Sequence, residues 1–112
     1  MLTLHNLKMN VIETAPNGVV NRDTIFSFRQ DGEIVSSEYK GGHVVTGFLV
    51  GKMTGETLNF SYCQLQDNGM LDNGFSTCEV RKSPAGKIQL VENFEWKSRP
   101  GEKGVNIFEE IS

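Results

Sequence analysis

Apolar and polar residues alternate with a period of two along several stretches of this chain, and short glycine-bearing turn signals separate those stretches. Seven such signals, Asn17-Gly18, Asp31-Gly32, Gly41-Gly42, Thr54-Gly55, Asn68-Gly69, Ala85-Gly86 and Pro100-Gly101, divide the 112 residues into eight segments. Side chains of a β-strand point alternately to the two faces of its sheet, so this cadence predicts antiparallel strands joined by hairpins. Eight strands in sequence order whose ends meet leave no open edge, which predicts an all-β fold: a single eight-stranded antiparallel up-and-down β-barrel over residues 1–112.

The expected strands are residues 5–14, 24–30, 33–40, 43–53, 57–66, 74–82, 87–97 and 105–111. The clearest hairpin joins the second and third, where Phe26 and Phe28 share a face and Asp31-Gly32 makes a two-residue turn. In the fourth, Gly47 and Gly51 fall on one face, where they permit either a bend or the close approach of another group; bending for barrel closure is the simpler reading. The fifth places Leu58, Phe60 and Tyr62 on one face. In the sixth, Phe75 and Thr77 compete with Cys78 and Val80 for the inward phase, and Phe75 is expected inward. The seventh sets Ile88, Leu90, Glu92, Phe94 and Trp96 inward, and the eighth Val105, Ile107, Glu109 and Ile111. No segment carries a capped helical period.

Glu92 and Glu109 interrupt these last two apolar faces in the same way. If the loop between them is centred near Pro100-Gly101, residues whose numbers sum to about 201 are paired, and the two carboxylates become direct neighbours. Like charges at that separation destabilise a ladder unless something compensates them. Three arrangements would do so: a structural ion pair with Arg81 or Arg29; a cationic or hydroxyl-bearing ligand held in a pocket walled by Trp96, Tyr62, Phe60 and Tyr39; or a carboxylate dyad acting as general acid and base. A barrel of this size has interior room either for its own side chains or for one small molecule, so a filled structural barrel also stays open.

Charge and composition narrow the partners. The net charge of −3 includes no Lys/Arg cluster, which argues against nucleic acid. No apolar run is long enough for a membrane-spanning helix, and residues 1–14 lack the charged and apolar regions of an export signal, so a cytoplasmic location is expected. Cys63 and Cys78 would face one another if their hairpin were centred between Met70 and Leu71; reduced thiols filling space are the expectation without an export signal. His5 and His43 lie far apart, and no HExxH, CxxC or calcium-loop pattern occurs, so no metal is expected. Phosphate-cradle and GxSxG motifs are absent as well, and neither a cofactor nor a catalytic residue is assigned. Val44, Val50, Val91 and Phe108 are assigned to the outer face, where clustering would favour a homo-oligomer.

The ordered series Asp23-Thr24-Ile25-Phe26, Tyr39-Lys40-Gly41-Gly42, Gly47-Phe48-Leu49-Val50-Gly51, Asn59-Phe60-Ser61-Tyr62, the run from Gly86 to Glu92, Glu95-Trp96 and Glu109-Glu110-Ile111 resembles a family of small, mostly uncharacterised bacterial proteins. Its members look like avidin-like or lipocalin-like up-and-down barrels, and some carry the label N-acetylglutamate synthase. The resemblance implies a calycin-type barrel and small-molecule binding. The chain lacks the Arg/Gln-x-x-Gly-x-Gly/Ala pattern of common acetyltransferases, and Trp96 is its only tryptophan.

Overall fold

The structure, a computed structural model, describes residues 3–111. Eight strands follow one another: β1 (Lys8–Glu13), β2 (Ile25–Asp31), β3 (Ile34–Gly41), β4 (Val44–Thr54), β5 (Thr57–Gln66), β6 (Leu71–Lys82), β7 (Ile88–Trp96) and β8 (Lys103–Glu110). Each pairs antiparallel with the next, and β1 pairs with β8 to close the barrel. Six of the seven expected turn dipeptides contain a glycine at positive φ, the conformation that tight hairpins require and that other residues adopt at a cost. The exception, Gly18, sits in the connection 14–24, the longest in the barrel.

Inward residues are graded along the axis. Leu4, Met9, Phe28, Leu58, Val80 and Leu90 are essentially solvent-free and fill the lower part. The segment before β1 joins them there: Leu4 N–H donates to Gln30 Oε1 at 2.9 Å, and Asn6 N–H to the Phe28 carbonyl at 3.0 Å. The upper part is aromatic. Phe26 stacks on Tyr39 at 4.4 Å between ring centres and meets Phe108 at 4.6 Å, while Tyr62 and Phe94 meet Trp96 edge-on at 5.6 and 5.9 Å.

Several expected phases change. Phe75 points outward, and Gly74, Ser76 and Cys78 point inward. The ladder explains the choice: inward Gly74 lies opposite Tyr62 and Trp96, and Ser76 opposite Phe60 and Phe94, so small residues make room for the rings on either side. In β8, Asn106 and Phe108 face inward, while Val105 is outside and 46% exposed. Val44 and Phe108, expected on the outer face, are interior residues; Val50 is outside as expected. Cys63 pairs with Asn73 and is exposed, whereas Cys78 is buried and pairs with Leu58, so the two free thiols occupy opposite faces of the wall. Gly47 serves close approach: a Cβ there would come within 2.5 Å of two carbons of the Tyr39 ring.

Candidate functional site

Five of the six residues singled out from the sequence, Glu92, Trp96, Tyr62, Phe60 and Tyr39, line one interior cavity. Strand phase puts them there: Phe60 and Tyr62 alternate inward on β5, Glu92 and Trp96 on β7, and Tyr39 comes from β3. The sixth, Glu109, does not join them. The β7–β8 ladder pairs Glu92 with Asn106 and Gln89 with Glu109, three residues away from the expected register, and Glu109 lies half-buried on the outer side, accepting from Gln89 Nε2 at 3.0 Å. The carboxylate pair, and any acid–base dyad built on it, is therefore absent. Neither arginine considered as its counter-ion supplies one: Arg29 is exposed on β2, and exposed Arg81 donates to Gln89 Oε1 at 3.0 Å.

Glu92 is 4% exposed. Ser76 Oγ donates to its Oε2 at 2.6 Å and Asn106 Nδ2 to its Oε1 at 2.8 Å. Burial pushes the carboxyl above the ordinary glutamate range, while these two hydrogen bonds pull the other way. Burial and the nearby Glu92 charge also raise the Tyr39 and Tyr62 phenols, so both rings keep their protons. Tyr39 O–H donates to Gln64 Oε1 at 2.9 Å.

Sequence reasoning missed Asn106, Gln64 and Ser76. Gln64 is in phase with Phe60 and Tyr62 and was legible by that signal; Asn106 and Ser76 were hidden by the wrong phases of β8 and β6. Asn106 also ties Glu92 to the long connection, because its Oδ1 accepts from Thr14 Oγ1 at 2.9 Å and from Ala15 N–H at 3.2 Å. Gly18, Val19 and Val20 of that connection line the cavity, making it the cover of the upper mouth. A second group closes the mouth beside it. Asp72 accepts from Arg99 Nη2 at 2.6 Å, from Ser98 Oγ at 2.8 Å and from Gln66 Nε2, and the Arg99 guanidinium lies 4.8 Å above the Trp96 ring. Burial alone would raise the Asp72 carboxyl, but these hydrogen bonds and the arginine charge together hold it below its ordinary range.

The cavity measures about 30 Å³, room for one or two water molecules with the cover in place. Among the described residues, three buried N–H donors have no acceptor: Gln64 Nε2, Trp96 Nε1 and Arg99 Nε. Gln64 and Trp96 both border the cavity. No group of three metal-ligating side chains occurs among the described residues, and no helix is long and apolar enough to cross a membrane.

A closed meander with polar groups gathered inside an aromatic upper half defines a small up-and-down β-barrel. A family model described as avidin-like protein matches residues 2–111, and the chain belongs to that family. Comparison with curated proteins and with solved structures gives no match. Family and fold are consistent with small-molecule binding.

Proposed function

We propose that this protein is a small-molecule-binding barrel whose ligand occupies the upper interior, with Glu92 as its polar anchor and Trp96, Tyr62, Phe60 and Tyr39 as its walls. The observation that carries this reading is the convergence of a buried carboxylate and unpartnered N–H donors on one cavity. Each unpaired buried polar group costs about 1–3 kcal/mol, and a ligand that supplies acceptors to Gln64 and Trp96 recovers that loss. The small volume means that anything larger than water enters by displacing the 14–24 connection. Glu109, on the outer side, takes no part.

The lone tryptophan on the cavity wall makes the test direct. Polar metabolites of low mass are titrated while Trp96 emission and thermal unfolding are recorded. A ligand at about a hundred times its Kd adds roughly 2.7 kcal/mol to folding stability. The expected result is at least one compound that saturably shifts both signals in the wild-type protein and loses its thermal shift in Trp96→Ala. If none does, the observation favours the filled structural barrel, which the small cavity volume also suits.

We propose in addition that a second copy of the chain covers the outer face of β4–β6. Phe48 and Val50 on β4 are 53% and 60% exposed, and Phe75 on β6 is 40% exposed. The ladder makes them neighbours across uncharged Ser61 and Cys63 of β5, with Leu65 and Leu71 continuing the strip. An apolar sheet face centred on small uncharged residues suits its own twofold mate.

A further inference from the structure

We propose, resting on the interior-site reading above, that the ligand is a small organic cation: a protonated amine whose N–H groups donate to the Glu92 carboxylate, whose carbon frame lies among the rings of Tyr39, Tyr62 and Trp96, and whose oxygen acceptor meets the unpartnered Gln64 and Trp96 donors. The charge balance of the interior points there. Ser76 and Asn106 are neutral donors, so they solvate the carboxylate without cancelling its charge. Arg99, partly exposed above the Trp96 ring, is engaged by Asp72, which leaves the mouth cluster neutral and Glu92 without a counter-ion from it. The other ion pairs found among the described residues, Lys97 with Glu95 and His43 with Asp67, are exposed.

A carboxylate oxygen has two lone-pair directions, and each Glu92 oxygen has one protein hydrogen bond, so each retains capacity for a ligand N–H. An isolated buried charge is costly, and the compensation available to a binding site is an opposite charge delivered by the ligand. An anionic ligand would be repelled by Glu92, and a neutral alcohol would leave the charge uncompensated. Around the carboxylate the wall is aromatic, and ring faces attract a desolvated cation. The polar anchor and its surroundings thus favour the same class.

The experiment uses three matched sets of probes on the intact protein near neutral pH: methylamine, isobutylamine and benzylamine, each with the alcohol and the carboxylate of the same frame. Affinities are read from Trp96 emission and calorimetry. The expected result is that the best amine binds at least tenfold more tightly than its alcohol and that its carboxylate does not bind. In Glu92→Gln, the amine should lose its advantage over the alcohol of the same frame. Equal binding of amine and alcohol to the wild-type protein overturns the cation assignment, as does an amine preference that survives Glu92→Gln. Those outcomes leave the interior site standing, because a probe still binds there. If no probe in any set moves Trp96, the interior-site reading falls and the cation assignment falls with it.

Discussion

Glu92 has hydrogen bonds but no ion-pair partner among the described residues, and the consequence for stability has a definite sign. Its carboxyl pKa is raised in the folded chain relative to an ordinary value of 4.5, chiefly by burial. The folded state therefore holds the proton more tightly than the unfolded state. The stabilising contribution is complete below the ordinary value and is lost as pH rises through the raised one. Asp72 has the opposite sign: its folded pKa lies below the ordinary 3.8, so its contribution is present above that value and disappears as acid titrates the folded carboxylate. Denaturant titrations across pH should show stability falling on both sides, with Glu92→Gln removing the descent that begins above pH 4.5 and Asp72→Asn the one below pH 3.8. Gly47 offers a steric test. A methyl group there collides with the Tyr39 ring, so Gly47→Ala should cost about 1–3 kcal/mol, read as a lower denaturant midpoint.

Among the strands, β2, β5 and β7 were legible because Phe26 and Phe28, Leu58, Phe60 and Tyr62, and Leu90, Glu92, Phe94 and Trp96 each keep one phase. The sixth and eighth were not, for separable reasons. In β6 two competing pairs left the phase undecided and Phe75 was expected inward, but the inward side is set by its neighbours: Tyr62 and Trp96 demand Gly74 between them, which leaves Phe75 outside. In β8 three apolar residues, Val105, Ile107 and Ile111, outvoted Phe108, and the ladder runs three residues out from a centre at Pro100-Gly101. That register removed Glu109 from the site and brought in Asn106.

The connection from β1 to β2 depends on the same asparagine. Asn106→Ala removes its acceptor for Thr14 and Ala15 and one donor to Glu92. The expected outcome is faster amide exchange over 14–24 and stronger acrylamide quenching of Trp96, with the strands still protected. Arg99→Met acts at the other part of the mouth. It leaves Asp72 buried without its cation and should cost about 2 kcal/mol, less than a fully buried pair because Arg99 is partly exposed.

The whole molecule combines a lower half sealed by aliphatic side chains, an upper half in which aromatic rings enclose polar groups, and an outer wall with an apolar strip. The eight-stranded plan was readable from turn chemistry alone, since six turn signals became positive-φ glycines. The apolar strip was readable only in part, because Val44 and Phe108 belong inside and Phe48 and Phe75 outside. Solution mass should exceed that of one chain, and Val50→Glu should return it to the monomer without loss of fold. Mild oxidation should join Cys63 to the Cys63 of the partner subunit if the twofold axis passes through β5. A wild-type monomer at high concentration would contradict the strip as an interface.

Thermal unfolding of Glu92→Gln beside the wild-type protein, at about pH 8 and without ligand, decides most directly whether the buried Glu92 carboxylate is held for a ligand at the expense of stability. The substituted protein is predicted to melt at a higher temperature and to lose its response to amines. A variant that melts well below the wild-type protein at that pH would show instead that the Glu92 charge serves the fold, and the barrel interior would have no claim to a ligand.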